Sequence, residues 1–380
     1  MHDLDHNPAA FARLGAEAQI YLRPSGFVDG PLMDPDACRR LAGGAVWFSA
    51  VHVIARTQAG RCASCLVPVP GMSAFLEALP DPQRLRALDQ WRHLTSARTT
   101  MPLPRNTRTL RFDQPMVMGI LNMTPDSFSD GGRLTDKDAA ATAAWHMAEA
   151  GAALVDIGGE STRPGAKPVW EQDEIDRVAP VLERLGTLSA GVSLDTRKAA
   201  VMRAGLKAGV DILNDVSALT WDPESLAVAA ASPCPIVLMH AQGSPESMQD
   251  APAYADALLD VYDWLEARVL ACEAAGIART RLILDPGVGF GKALRHNLDV
   301  LNGLSLFHAL GCPLLVGVSR KRFIGALGRE EPVDKRLPGT LAAVVHCLAQ
   351  GVQILRVHDV TEAVQALRIW QGLRDAALTA

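Results

Sequence analysis

Short apolar runs recur along the chain, and each gives way to a polar turn and then to a stretch whose apolar positions follow helical spacing. The runs cover residues 116–121, 153–157, 191–194, 210–213, 235–239, 281–284, 313–318 and 353–357. Each is short and mainly apolar, as strands buried on both faces are. Helical stretches follow at 135–150, 170–185, 196–208, 223–231, 257–275, 296–310, 335–350 and beyond Asp359. Gly151, Gly186, Gly209, Gly276, Gly311 and Gly351 stand where helices end in a left-handed residue. Thr135 with Asp138 reads as a capping box, and Asp222-Pro223 puts proline in a first helical turn.

Eight β-then-α units in succession predict a closed (β/α)8 TIM barrel, an α/β fold, spanning residues 111–380. An open doubly wound sheet is the alternative, and no Gly-x-Gly-x-x-Gly follows the first strand to favour it. Residues 1–110 lack the alternation. They offer a strand at 45–55, a charged helix at 81–97 and a proline- and arginine-rich linker at 99–108, and read as a small N-terminal domain or extension of unknown role. Cys62 and Cys65 lack a second Cys or His pair at zinc spacing and read as two thiols.

Composition narrows the function classes. A net charge of -5 and a pI near 6.1 exclude a chain that grips nucleic acid or an anionic membrane by bulk charge. Seven scattered cysteines make no secreted disulfide framework, no apolar stretch is long enough to span a bilayer, and the opening residues lack an export signal. A soluble, cytoplasmic chain is expected.

In a barrel, residues just past every strand meet at one mouth. Here those positions are Asn122, Asp156 with the segment Gly158–Gly165, Asp195-Thr196-Arg197-Lys198, Asn214-Asp215, His240, Asp285 with Gly287–Lys292, Ser319-Arg320-Lys321, and Arg356-Val357-His358-Asp359. Single strand-end Asp or Asn residues commonly cap the next helix. Eight polar termini in succession point instead to a site. Asp195, Asn214, Asp285 and Lys321 suit a flat, hydrogen-bonding heterocycle; Asn122, Arg163, Arg356 and His358 suit an anion. Thr162 adds a hydroxyl, while Phe128 and Phe290 offer apolar contact to a second ring.

The segments 122–132, 158–165 (Gly-Gly-Glu-Ser-Thr-Arg-Pro-Gly), Asp195-Thr196, Asn214-Asp215, Asp285-Pro286-Gly287, Ser319-Arg320-Lys321 and Arg356-Val357-His358 resemble, in order, the signatures of dihydropteroate synthases, the folate-pathway transferases inhibited by sulfonamides. The resemblance runs from Met116 to the end. It implies condensation of 6-hydroxymethyl-7,8-dihydropterin pyrophosphate with p-aminobenzoate, yielding 7,8-dihydropteroate and pyrophosphate, with Mg2+ and in a homodimer.

By the same resemblance, Asp195, Asn214, Asp285 and Lys321 hold the pterin, and Asn122 approaches Mg2+ and pyrophosphate. Arg356 and His358 bind pyrophosphate, with Asp195, Lys321, Arg356 and His358 forming the catalytic set. The loops bearing Phe128 and Thr162-Arg163-Pro164 close over p-aminobenzoate beside Phe290. Ala241, Val288 and Arg322 depart from the family's usual residues at places that touch substrate or inhibitor affinity. A pterin-binding methyltransferase shares the barrel but needs no pyrophosphate group, and an idle pterin-binding paralogue would not need the intact Asp195, Lys321 and Arg356.

Overall fold

A computed structural model of the protein describes residues 7–30, 36–105, 108–123, 135–161, 168–243, 248 and 250–379. The N-terminal part opens with a short helix α1 (Pro8–Phe11) and builds an antiparallel sheet from β1 (Gln19–Val28), β2 (Arg39–Arg40), β3 (Trp47–Thr57) and β4 (Gly60–Pro68). β3 is its centre, pairing with the other three strands. Helices α2 (Met72–Glu77) and α3 (Asp81–Thr95) follow. Only β3 and α3 are foreshadowed by periodicity. β1 carries Arg23, Pro24 and Gly26, residues that weaken a strand signal, and is held by its pairing with β3. Cys62 and Cys65 lie on β4 as free thiols.

The barrel strands are β7 (Met116–Asn122), β8 (Leu154–Gly158), β9 (Gly191–Asp195), β10 (Ile212–Asp215), β11 (Ile236–Met239), β12 (Leu282–Asp285), β13 (Leu315–Gly317) and β14 (Ile354–Val357). They are preceded by a two-stranded hairpin, β5 (Met101–Pro102) with β6 (Thr109–Leu110). All eight barrel strands run parallel in the order β12-β11-β10-β9-β8-β7-β14-β13, and a parallel bridge between Leu284 and Leu314 closes the ring.

The outer helices are α4 (Thr135–Glu149), α5 (Glu171–Arg184), α6 (Ala199–Ala208), α7 (Ser225–Ala231), α8 (Ala257–Ala274), α9 (Leu294–Asn302), α10 (Arg322–Leu327), α11 (Leu337–Ala349) and α12 (Val360–Thr379). The single helix expected over 296–310 divides at Gly303, where a β-carbon would stand 2.4 Å from Leu258 on α8. A wholly buried 3-10 turn, Leu304–Leu310, completes the segment. α11 begins at Leu337 because Pro338 fits only a first turn. Of the six expected glycine caps, Gly151, Gly209, Gly276, Gly311 and Gly351 have positive φ, whereas Gly186 does not. α5 ends instead through Leu185, whose N–H donates to Leu182. The capping side chain of Thr135 lies outside the described residues.

The 99–108 linker is a correction. Met101, Leu103, Leu110 and Phe112, from the hairpin and its flanks, pack against Met118, Leu154, Ile212, Val237, Ile283, Leu315 and Ile354 inside the barrel. The hairpin therefore plugs the floor. Arg105 fixes it there, with its Nε 3.1 Å from the buried Asp211 and Nη2 2.7 Å from the Ala190 carbonyl. Apolar packing and one buried ion pair outweigh the turn-like composition that reads as a tether.

Candidate active site at the barrel mouth

The floor layer fixes the mouth. Side chains alternate along a strand, so residues two positions beyond the floor layer point into the same interior, one layer higher. Leu154 leads to Asp156, Ile212 to Asn214, Ile283 to Asp285 and Ile354 to Arg356. One apolar layer is thus followed by a layer rich in polar and charged groups. Register places Asp195 beside Asn214 and level with Gly158.

These side chains bind one another. Arg356 donates through Nε to Asp156 Oδ2 at 2.6 Å and through Nη2 to Asp195 Oδ2 at 2.8 Å. Asn214 Nδ2 donates to the same Asp156 oxygen at 3.0 Å. Asp156 Oδ1 is buried with no partner among the described residues, so an acceptor faces the interior unused. Burial pushes the Asp195 carboxyl up to about 8, against the pull of Arg356 and with the help of Asp156. Burial opposes the charge of Arg356, but Asp156 and Asp195 more than restore it and raise its pKa. Asp285, also raised by burial, accepts from the Gly287 N–H at 2.7 Å.

The loop after β12 is held from three sides. Gly287 has φ +67, and a β-carbon there would lie 1.8 Å from the His240 carbonyl oxygen, so only glycine fits. Lys292 Nζ reaches the carbonyls of Gly287 (2.9 Å) and Phe290 (3.2 Å) and His240 Nδ1 (2.8 Å). Burial lowers Lys292 to about 7 and His240 to about 2, which keeps the imidazole neutral. Lys321 Nζ donates to the Val288 carbonyl at 2.6 Å and sits 4.1 Å from the Phe290 ring centre. Burial lowers Lys321 to about 8, with Asp285 pulling it back up.

Residues 118–358 match the pterin binding enzyme family. The dihydropteroate synthase of Escherichia coli strain K12 is 47% identical over 269 residues, which are 70% of this chain and 95% of that one. The chain belongs to the dihydropteroate synthase family. The Yersinia pestis family member, solved with a sulfonamide drug, superposes with a TM-score of 0.68 at 46% identity, covering 73% of this chain and all of that one. A Xanthomonas albilineans dihydropteroate synthase in complex with 7,8-dihydropteroate matches at 43% identity and a TM-score of 0.64, over 70% of this chain and 96% of that one. The family match begins at Met118, so the N-terminal sheet lies outside it.

Of the residues read from the sequence as the family's site, Asp195, Asn214 and Arg356 form one bonded group with Asp156, and Asp285, Lys321 and Phe290 gather around the loop after β12. Asn122 ends β7, half-buried and paired in register with Gly158. His358 lies at the end of β14, its Nδ1 3.0 Å from Ser319 Oγ. Phe128, Thr162, Arg163 and Pro164 lie outside the described residues.

Other mouth residues have structural roles. Arg197 and Lys198 are ion-paired to the buried Glu160, which also accepts from the Val169 N–H at 2.9 Å. Asp215 is occupied by the turn at Ser217 and Leu219. Sequence reading gave no role to Asp156, although a carboxylate inside the run Leu-Val-Asp-Ile-Gly was the signal. The His240–Lys292 pair left no comparable signal, because its partners are 52 residues apart.

Proposed function

We infer that the chain is a working dihydropteroate synthase, joining p-aminobenzoate to 6-hydroxymethyl-7,8-dihydropterin pyrophosphate and releasing pyrophosphate. The observation that carries this reading is the buried layer Asp156, Asp195, Asn214 and Arg356 facing Asp285 and Lys321. Such a layer offers carboxylate and amide acceptors to the N–H edge of a pterin and a cationic group to its carbonyl side. The Arg356 guanidinium, held by Asp156 and Asp195, is the group that the family resemblance sets over the pterin face, where a planar cation can stack on the ring.

Breaking the carbon–oxygen bond before the amine attacks leaves positive charge on the dihydropterin and negative charge on pyrophosphate. Asp195 has its proton affinity raised by burial, and a cation forming beside it favours the ionised carboxylate. Its stabilisation therefore grows as charge develops. Arg356 and His358, on β14 and just beyond it, serve the leaving group. Lys321 and Phe290 border the aminobenzoate pocket, and Asn122, Phe128, Thr162, Arg163 and Pro164 complete the site in this reading. A cation formed in this way has to be kept from water.

Among the described residues no group of three or more His, Cys, Asp or Glu forms a metal cluster. Asn122, at the end of β7, would hold Mg2+ through its amide oxygen, a single protein ligand being compatible with an ion that binds substrate phosphates. When bound, the ion supplies charge neutralisation to the departing pyrophosphate. A homodimer and a cytoplasmic setting belong to the same reading, and among the described residues no helix is long and apolar enough to cross a membrane.

The test is pyrophosphate release from the full chain given pterin pyrophosphate, p-aminobenzoate and Mg2+, with sulfonamides expected to compete against p-aminobenzoate and light scattering reporting the dimer. Asp195→Asn and Lys321→Ala should each lower turnover at least ~100-fold, equivalent to ~2.7 kcal/mol. Near-normal turnover in both variants would refute the assigned roles, and absent turnover with tight pterin binding would indicate an idle pterin-binding protein.

A further inference from the structure

The N-terminal sheet packs on the buried turn Leu304–Leu310 and also reaches the first turns of α8 through ion pairs. Arg61 on β4 binds Asp256 through Nε (2.5 Å) and Nη2 (3.1 Å), and Arg56 on β3 binds Asp260 through Nη1 (2.5 Å) and also pairs with Asp263. Asp256 is the N-cap of α8, accepting from the Leu259 N–H at 3.2 Å. The other Asp260 oxygen accepts the N–H groups of Ala255 and Asp256, at 2.9 and 3.0 Å. The carboxylates that hold the start of α8 are therefore themselves held by arginines of the sheet.

The segment just before α8 reaches the site. Tyr254 donates its hydroxyl to the Gly291 carbonyl at 2.8 Å, and its ring packs edge-on against His296. Gln242 clamps Ala253 in both directions, at 3.0 and 3.1 Å. Gly291 closes the loop whose Phe290 ring underlies Lys321 and whose Val288 carbonyl receives the Lys321 ammonium. Ion pairs and hydrogen bonds thus run from Arg56 and Arg61 through Asp260 and Asp256 to the Ala255 backbone, and from the adjoining Tyr254 to the loop that orients Lys321.

We propose that the N-terminal sheet positions the catalytic loop at residues 287–291, with Arg56 and Arg61 acting as positioning residues through Asp260, Asp256 and Tyr254. The proposal rests on the dihydropteroate synthase reading for its kinetic consequence alone. Arg86 supplies an internal control. It joins α3 to the same helix through Glu266 at 2.9 Å and, more loosely, through Asp263 at 3.9 Å, further from the mouth and with no bond to the residues 253–256. An extension that merely stabilises the barrel would be weakened equally by removing either set.

The experiment compares full-length Arg56→Ala/Arg61→Ala, Tyr254→Phe and Arg86→Ala with the parent chain. For the first two, KM for p-aminobenzoate should rise about fivefold while kcat changes less, and combining them should give less than the product of the separate effects. Arg56→Lys should recover part of the loss, and Arg86→Ala should lower Tm without moving KM. Amide hydrogen exchange of the resting protein gives a readout independent of turnover: exchange at 287–291 should accelerate in the double variant and stay unchanged in Arg86→Ala. Unchanged exchange at 287–291 in the double variant overturns the proposal whether or not the parent is active. Inactivity of the parent with altered exchange in the variants overturns the functional reading alone.

Discussion

At the scale of single residues, Asp156 decides how the pocket is ordered. One of its oxygens receives both Arg356 and Asn214, so truncation frees two groups at once. Asp156→Ala should lower kcat/KM for the pterin substrate at least ~30-fold, because removing one partner of a buried, bonded charge pair costs about 2 kcal/mol or more. Steady-state kinetics showing a loss below threefold would place the anchoring elsewhere.

Two titrating groups set a pH profile. Activity needs Asp195 ionised and Lys321 charged, and both are moved by burial to about 8. kcat/KM should therefore form a narrow bell near pH 8, falling on the acid side as Asp195 takes up a proton and on the alkaline side as Lys321 loses one. Lys321→Arg keeps its charge above about pH 10 and should remove the alkaline limb from whatever activity remains. An alkaline limb unchanged in that variant would assign it to another group.

At the scale of elements, the hairpin β5–β6 separates what stabilises the barrel from what works in it. Arg105 and Asp211 form a buried pair at the closed end, opposite the mouth. Arg105→Ala leaves the buried Asp211 charge with backbone N–H donors but no cation, and stability should fall by about 3 kcal/mol in denaturant titration with KM values unchanged. A marked KM change would mean that the floor communicates with the mouth. The eight barrel strands and their helices were legible because burial on both faces writes a continuous apolar run, and a helix packed on one side writes a 3.6-residue period. The hairpin was not, since its few apolar residues are spaced by proline and arginine and acquire their role only against the barrel floor.

At the scale of the whole molecule, the N-terminal sheet and the barrel share one hydrophobic core. Tyr21 of β1 meets Tyr262 of α8 edge-on, with ring centres 5.4 Å apart, and Tyr262 stacks on Phe307 at 6.3 Å. Arg56, Arg61 and Arg86 then match the acidic face Asp256, Asp260, Asp263 and Glu266 of α8. That face carries carboxylates at helical spacing. Only the arrival of the sheet converts it into an interface.

The sequence by itself determined the barrel, its mouth and most of the residues that meet there, because strand alternation and strand ends are properties of short stretches of chain. It also carried the family's signatures in order. The tertiary structure alone decided which of those polar ends bind one another. Asp156 became the hub because β8 stands two strands from both β14 and β10, so its inward carboxylate reaches Arg356 over β7 and Asn214 over β9, and Arg197, Lys198 and Asp215 were committed to turns and buried ion pairs. It likewise decided that two arginines of the N-terminal sheet hold the carboxylates at the start of α8. Hydrogen bonds and ion pairs between residues 52 to 204 apart depend on how the layers stack, and no local pattern encodes that stacking.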